Sequence, residues 1–222
     1  AMRRLTPAVR EIDSTVREAT TGIAKTNTRM LNVIETSEQI VQHSAALGGA
    51  SIDAPFITFV QQTARDVSSA FDQALTEGKI RPEHLFDRSY RPVPNTNPEQ
   101  VLTQATEFLD QLLPDFQEPA FQFDRRVVFC AAVDTNGYLP THNLKFSHPQ
   151  GDDPVWNTAN SRNRRIFDDR VGLKAGRNTE NFLLQVYRRD MGGGEFKLMK
   201  DLSAPIYAGG RHWGGLRLAY GY

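Results

Sequence analysis

The chain has 222 residues, enough for one large or two small domains, and its mixture of apolar and charged residues is typical of a folded globular protein. The 26 lysines and arginines balance 26 aspartates and glutamates, which excludes a net charge that would attract nucleic acid or anionic lipid. The single cysteine excludes an internal disulfide, and no apolar run approaches the roughly 20 residues of a membrane span. These features predict a cytoplasmic protein and leave open whether a membrane anchor lies upstream.

Residues 1–50 are predicted to form a long helix of the coiled-coil type. Thr6 can cap its start, and Pro7 occupies the first helical position, where a missing N–H is tolerated. Apolar or small residues then recur every three or four positions, at Val9, Ile12, Val16, Ala19, Ile23, Thr26, Met30, Val33, Ser37, Ile40, Ser44 and Leu47. This period of about 3.5 residues predicts a coiled coil. Because part of the seam is small or polar, we expect a weak coil that forms a homodimer and continues an upstream helical rod.

Residues 51–120 are predicted to be a helical linker that packs on the domain after it. Asp53 and the proline that follows it begin a helix that ends near Gly78. Its apolar residues recur at helical spacing, at Phe56, Val60, Ala64, Val67, Phe71 and Leu75. A third helix is predicted at 98–113, and a proline-containing connector at 114–125 precedes the next domain.

Residues 121–222 are predicted to form an α+β domain. Runs rich in β-branched and aromatic residues predict five strands, at 127–133, 138–143, 182–190, 195–204 and 213–220. Short helices are predicted within 155–168, and turns at Asn136–Gly137 and at 192–194 connect neighbouring strands. This is the element order of a PAS or Cache-type sensor domain. The predicted fold class is therefore α+β, with a long N-terminal helix and a helical segment followed by a five-stranded antiparallel sheet with covering helices.

The motifs of common catalytic sites are missing from the sequence. No serine lies in a G-x-S-x-G elbow, and the glycine-rich runs lie between strands, whereas a phosphate-binding loop would precede a helix. A metal site would have to use His142, His148 and His212, whose spacing fits neither one face of a helix nor one face of a strand. The sequence therefore predicts a chain that is not an enzyme and holds no cofactor. A haem- or metal-binding redox or gas sensor is the alternative, since non-covalent haem leaves no sequence pattern.

Polar residues that could hold a small molecule are dense around residues 142–165. Arg162, Arg164 and Arg165 lie among asparagines, and the planar fork of arginine suits a carboxylate. Alternatively, these arginines pair on the surface with nearby aspartates. We expect arginine and histidine to bind a polar or anionic group of the ligand. The candidate ligand-binding residues are His142, Asn143, Trp156, Asn160, Arg164, Tyr187, Arg188 and His212.

Two parts of the chain resemble a methyl-accepting chemotaxis protein, a bacterial chemoreceptor. The helical stretch beyond the signalling hairpin of that family is similar to VREIDSTVREATTGIAKTNTRMLNVIETSEQIV. The C-terminal sensor region of some members is similar to VVFCAAVDTNGYLPTHNLKFSHPQGDD, NSRNRRIFDDRVGLKAG, FLLQVYRRDMGGGEFKLMKDLSAPI and GRHWGGLRLAY.

The resemblance implies a non-catalytic PAS/Cache-like module that binds a small molecule, with no nucleic-acid partner. It also implies that the module acts on a histidine kinase and its coupling protein through the upstream signalling domain. A ligand-free interaction or dimerisation module is the remaining alternative.

Overall fold

The computed structural model describes residues 2–46, 52–190 and 196–221. Its contacts divide the chain into two compact units, Ala1–Leu47 and Gly48–Tyr222. Within the described ranges, no helix combines the length and the apolar character needed to cross a lipid bilayer.

The first unit consists of one helix, α1 (Met2–Ala46), which confirms the predicted N-terminal helix. Several of its threonines donate a side-chain hydrogen bond to the backbone carbonyl four residues earlier, as Thr20 and Thr26 do at 2.8 and 2.9 Å. The large apolar residues of the seam whose side chains are described are 56–67% exposed, namely Val16, Ile23, Met30, Val33 and Ile40. A single chain therefore leaves this part of the seam in contact with water.

The second unit contains helices and antiparallel strands, which confirms the α+β class. Its helices are α2 (Ala54–Thr76), α3 (Pro82–Leu85), α4 (Thr106–Leu112), α5 (Pro114–Gln117), α6 (Ala120–Phe123), α7 (Pro154–Asn160) and α8 (Arg170–Arg177), with a 3₁₀ turn at Leu144–Phe146. Its strands are β1 (Arg91–Pro92), β2 (Val101–Leu102), β3 (Val127–Asp134), β4 (Tyr138–Leu139), β5 (Arg165–Ile166), β6 (Leu183–Asp190), β7 (Phe196–Ala208) and β8 (Arg211–Tyr220). A four-stranded antiparallel sheet has the order β3-β8-β7-β6, and two short pairs, β1 with β2 and β4 with β5, lie outside it.

Helix α2 packs on one face of the sheet through the predicted apolar stripe. The buried residues of the stripe are Phe56, Val60, Ala64, Val67 and Phe71. The ring of Phe56 stacks on Tyr220 of β8 with 4.0 Å between centroids, and burying such a side chain contributes about 1.5–3 kcal/mol. Just before the helix, the carboxylate of Asp53 accepts hydrogen bonds from Nζ of Lys200 at 2.8 and 2.9 Å and from the Tyr220 hydroxyl at 2.9 Å. The segment 51–120 thus packs with the sheet in the second unit.

Helix α8 covers the opposite face of the sheet. Its glycines allow it to lie close to the backbone of neighbouring segments. A Cβ atom on Gly176 would lie 2.1 Å from the carbonyl oxygen of Asp134, and one on Gly172 would lie 2.2 Å from that of Phe167. The sequence does not predict this helix, because it places helices only within 155–168, where the structure has α7 and then β5. Glycine disfavours a helix by about 1 kcal/mol relative to alanine, so close packing outweighs local propensity here.

The prediction of a five-stranded sheet needs correction, because among the described residues the sheet has four strands. The second predicted strand, 138–143, leaves the sheet after its turn and contributes only the short β4, which pairs with β5. Side-chain amides accept hydrogen bonds from the outer edge of β3 instead. The N–H of Cys130 donates to Oδ1 of Asn143 at 2.8 Å, and the N–H of Ala132 donates to Oε1 of Gln117 at 2.9 Å. These buried amides satisfy the groups that a fifth strand would have paired.

The helix predicted at 98–113 begins later than expected. Strand β2 occupies part of that range, because it pairs with β1, and the N–H of Val101 also donates to the carbonyl of Arg164 at 2.7 Å. Helix α4 therefore begins only at Thr106. The turn predicted at 192–194 lies outside the described residues.

Candidate functional site

A buried ion pair lies on the face of the sheet that α8 covers. Arg217 of β8 is 5% exposed, and Asp201 of β7 is fully buried. Nη2 of Arg217 donates to Oδ2 of Asp201 at 2.8 Å, and its Nε lies 3.3 and 3.2 Å from Oδ1 and Oδ2. Burial lowers the pKa of the Arg217 guanidinium, but the attraction of Asp201 and its hydrogen bonds outweigh burial, so that the pKa is raised. Each charge in such a pair compensates the desolvation of the other.

Two further polar side chains share this face of the sheet. The strand register places Ser203 opposite Arg217 and Gln185 opposite Asp201. Nε2 of Gln185 donates to the carbonyl of Val171 in α8 at 3.0 Å. Oε1 of Gln185 and Oγ of Ser203, in contrast, are buried and have no hydrogen-bond partner among the described residues. Because an unpaired buried polar atom costs about 1–3 kcal/mol, a hydrogen bond from a water or a ligand to either oxygen would be favourable.

A small cavity of about 50 Å³ adjoins the ion pair. Its apolar walls are Phe129, Leu139 and Phe167, and its polar walls are His142, Arg162, Asp169, Tyr187 and Arg217. One water needs about 10–15 Å³ of such volume, so the cavity has room for about three to five waters. Typical ligand pockets measure about 300–1,000 Å³, so this cavity is small for a ligand site.

The polar walls of the cavity are held in place by their own hydrogen bonds. Nδ1 of His142 accepts the backbone N–H of Asn143 at 2.7 Å, which leaves Nε2 as the N–H of the neutral ring. Nη1 of Arg162 donates to the carbonyl of Thr158 at 3.1 Å. Oδ1 of Asp169 caps α8 by accepting two of its first N–H groups at 2.8 and 3.1 Å. The site is therefore largely formed before any ligand arrives.

Two cations flank the aromatic wall of the cavity. The guanidinium carbons of Arg162 and Arg165 lie 5.0 and 5.1 Å from the ring centroid of Phe167. Burial lowers the pKa of Arg165. This side of the site therefore carries positive charge next to an apolar ring, a contact that is itself mildly favourable.

Three of the predicted ligand residues lie at or beside the cavity. His142 and Tyr187 line it. Asn143 is fully buried beside it, and its amide serves the fold. Oδ1 accepts the N–H of Cys130, while Nδ2 donates to the carbonyl of Gln117 at 3.2 Å and to Oε1 of Glu118 at 3.1 Å.

Two other predicted residues, Trp156 and Asn160, lie on α7. The Trp156 side chain is 44% exposed and is not part of the cavity wall. Nδ2 of Asn160 donates to the carbonyl of Trp156 at 2.9 Å, a contact within the helix. The structure therefore does not bring this pair together with His142 and Tyr187.

Arg164, Arg188 and His212 complete the predicted set. Arg164 has a positive φ of 61°, and its Nη2 donates to Oδ2 of Asp110 at 2.9 Å, away from the cavity walls. His212 lies at the other end of β8 from Arg217, about 17 Å away along the strand at ~3.3 Å per residue, and burial lowers its pKa. The side chain of Arg188 lies outside the described side chains.

The sequence prediction missed the ion pair at the centre of the site. In β8, Leu216 and Leu218 flank Arg217 and face α2, so the alternation of a strand turns Arg217 toward the opposite face. The neighbours of Arg217 on that face are the small residues Gly215 and Ala219. The sequence does contain a signal for this ion pair, namely a charged residue between small neighbours in a predicted strand. That signal can be interpreted only when it is known which face of the strand is buried.

Other parts of the surface are less suitable as sites. Among the described residues, no three histidine, cysteine, aspartate or glutamate side chains converge where a metal ion could bind. Two grooves of about 620 and 430 Å³ are open to solvent. The first is lined by Arg126 and Asp124, which already pair at 2.9 Å, and the second by Lys79, which pairs with Glu77 at 2.7 Å. The cavity beside Arg217 is the better candidate because two of its polar walls, His142 and Arg217, are buried.

A scan against protein-family models found no match, and a search of curated proteins found none either. The function of this chain is therefore inferred from the geometry of the cavity and from helix α1.

Proposed function

We propose that the chain is a cytoplasmic sensory fragment of the chemoreceptor type, whose second unit binds a small molecule. The observation that carries this proposal is the cavity beside the buried Arg217–Asp201 pair. The same sheet face holds the unpaired oxygens of Gln185 and Ser203. Polar groups that converge from several segments on one concave space are typical of a binding site. The antiparallel sheet with helices on both faces supports a PAS/Cache-like fold for this unit.

Strand β7 offers a route from the cavity to the start of α2. Asp201 lies on the cavity face, and the adjacent Lys200 lies on the other face, where it binds Asp53. A ligand that changes the Arg217–Asp201 geometry would displace β7 and so alter the contact with Asp53. Since α1 precedes Asp53 closely in sequence, we propose that the response passes toward α1. A ligand shifts this equilibrium only by the difference between its affinities for the two states.

We further propose that α1 pairs with a second copy of the chain in a weak coiled coil. Its exposed apolar seam, which includes Val16, Ile23 and Met30, would be buried in such a dimer. Smaller residues such as Thr26 contribute less burial, so a modest change in free energy would alter the packing. In the intact receptor, this coil would communicate with a histidine kinase and its coupling protein through the upstream signalling domain.

Replacing Ile23 with aspartate is expected to convert the dimer into monomers, because two carboxylates would face each other in an apolar seam. Sedimentation velocity over a range of concentrations measures this change. Asn27→Asp adds the same charge at an exposed position outside the seam and should leave the dimer intact. A wild-type chain that sediments as a monomer at every concentration would contradict the proposed coil.

A screen for stabilising ligands tests the binding function. Organic acids, aromatic acids and purines are added to the purified chain, and the melting temperature is recorded. We expect at least one class to raise it, since a ligand at 100 times its Kd adds about 2.7 kcal/mol. Tyr187→Phe should reduce the shift, whereas Tyr207→Phe, which lies outside the cavity wall, should not. If no compound stabilises the chain, and a crystal structure shows only ordered water in the cavity, a ligand-free interaction module becomes the better description.

A further inference from the structure

We propose that Arg164 is a hinge beside the cavity and that Asp110 is the positioning residue that holds this hinge in its observed conformation. The inference rests on the proposed sensory function, because it identifies the part of the site that moves when a ligand binds. Since the cavity is small for a ligand site, movement of one wall would decide which molecules it admits.

The backbone of Arg164 is held in a conformation that an arginine rarely adopts. Its φ of 61° lies in the left-handed region, where the Cβ atom of an L-residue crowds the following carbonyl oxygen. The other described non-glycine residue with a positive φ, Asn95 at 59°, is of a type that tolerates this region. In addition, Nε of Arg164 is buried and has no hydrogen-bond partner among the described residues. The observed conformation of Arg164 therefore carries an energetic cost that other contacts must offset.

Arg164 lies where a change in its backbone would move a cavity wall. It immediately precedes strand β5, and hinges are commonly residues at the end of such an element. Arg162, two residues earlier, lines the cavity, and the guanidinium carbon of Arg165, the next residue, lies 5.1 Å from the ring centroid of Phe167 in the same wall. Because β5 is paired with β4, rotation at Arg164 would displace mainly the chain that carries Arg162.

Asp110 of α4 supplies a contact that offsets the cost at Arg164. Its Oδ2 accepts a hydrogen bond from Nη2 of Arg164 at 2.9 Å, and its Oδ1 accepts one from the hydroxyl of Thr141. Thr141 is next to His142, so one carboxylate holds the chain near two residues that line the cavity, His142 and Arg162. Both side chains of the ion pair are partly exposed, so water can reach the charges when the pair separates.

Hydrogen exchange at two backbone amides tests the hinge in the full 222-residue chain. The N–H of Arg162 donates to the carbonyl of Phe146, and the N–H of Arg164 donates to that of Leu139, both at 2.7 Å. Exchange at these amides therefore reports local opening on either side of the hinge. The backbone chemical shifts of Arg164, measured on the same samples by NMR, report whether its φ stays in the left-handed region.

Asp110→Asn removes the charge that pairs with Arg164 but keeps an oxygen that can accept the hydroxyl of Thr141. We expect exchange at the amides of Arg162 and Arg164 to become about tenfold faster or more, and to change more than exchange in α2. The chemical shifts of Arg164 should leave the left-handed range. Asp115→Asn changes an exposed carboxylate in α5 in the same way and should match the wild type.

Arg164→Gly separates a strained hinge from a simple ion pair. Glycine adopts a positive φ without strain, although it loses the contact with Asp110. The glycine variant should therefore accelerate exchange less than Asp110→Asn does. Adding Asp110→Asn to it should cause no further change, because the two substitutions remove the same interaction. If Asp110→Asn does not fold, Arg164→Gly still reports the strain, since it should then exchange no faster than the wild type by more than about tenfold.

The outcomes separate the hinge from the function on which it rests. Unchanged exchange and unchanged chemical shifts of Arg164 in Asp110→Asn would overturn the hinge, as would a glycine variant that exchanges faster than Asp110→Asn. The sensory function would survive either result, because the screen for stabilising ligands measures binding independently. If the amides respond as expected and no compound in that screen stabilises the chain, the hinge stands and the sensory function fails.

Discussion

Replacing Arg217 with alanine is expected to lower the free energy of unfolding by about 3–5 kcal/mol, because the variant leaves the carboxylate of Asp201 buried without its cation. Asp201 is fully buried, and Arg217 donates hydrogen bonds to both of its oxygens. Urea unfolding followed by tryptophan fluorescence measures the change, since Trp213 is buried in the same unit. The effect should be among the largest of any single substitution in this chain, because few side chains combine charge with complete burial.

Two further variants show whether the loss of stability in Arg217→Ala comes from the uncompensated charge of Asp201. The double variant Asp201→Leu with Arg217→Met removes both charges and should recover most of the lost stability. Arg81→Ala, which removes an arginine from the exposed pair with Glu83, should leave stability unchanged within error. A loss below about 1 kcal/mol for Arg217→Ala would mean that Asp201 reaches water or another cation, and the described ion pair would be wrong.

Gly176→Ala is expected to destabilise the second unit by about 1–3 kcal/mol, although alanine is the better helix former. The added Cβ would lie 2.1 Å from the carbonyl oxygen of Asp134, a backbone atom that cannot rotate away. Helix α8 would have to move off the sheet. Because Asp169 caps this helix and lines the cavity, the same variant should also loosen the site. Urea unfolding measures the first effect, and hydrogen exchange in α8 measures the second.

The same substitution at Gly151 provides the matched control. No described atom lies within 4 Å of the Cβ that Gly151→Ala would add, and its backbone φ is not in the left-handed region. This variant should be as stable as the wild type or slightly more stable, since alanine reduces the freedom of the unfolded chain. Equal stability of the Gly176 and Gly151 variants would show that α8 does not contact the sheet as closely as described.

The elements that could be predicted from the sequence are those whose own periodicity matches their burial. The stripe that includes Phe56 and Val60 packs on the sheet as its helical spacing predicts. Helix α8 could not be predicted, because Gly172 and Gly176 disfavour a helix locally, and Gly176 is required by its close approach to the distant backbone of Asp134. The missing fifth strand has a similar cause, since the amide of Asn143 bonds the edge of β3 through a contact that no local pattern encodes.

The candidate site was predictable only in part. His142 and Tyr187 line the cavity, and both are polar residues at predicted strand positions. Arg164 belongs to the arginine-rich segment that was predicted to hold an anionic group, yet it pairs with Asp110, a residue far away in sequence. Arg217 and Asp201 lie in two different strands, and their proximity depends on the register between those strands. Composition indicates which residues could bind an anion, whereas register decides which of them meet.

The decisive experiment is calorimetric titration of the best stabilising acid into the wild type and into the Asp201→Leu/Arg217→Met double variant. If the cavity beside this ion pair is the sensory site, the wild type should show saturable binding at one site per chain. The double variant, which should remain folded, should then show none. Binding of equal affinity to both proteins would contradict a binding site at this ion pair.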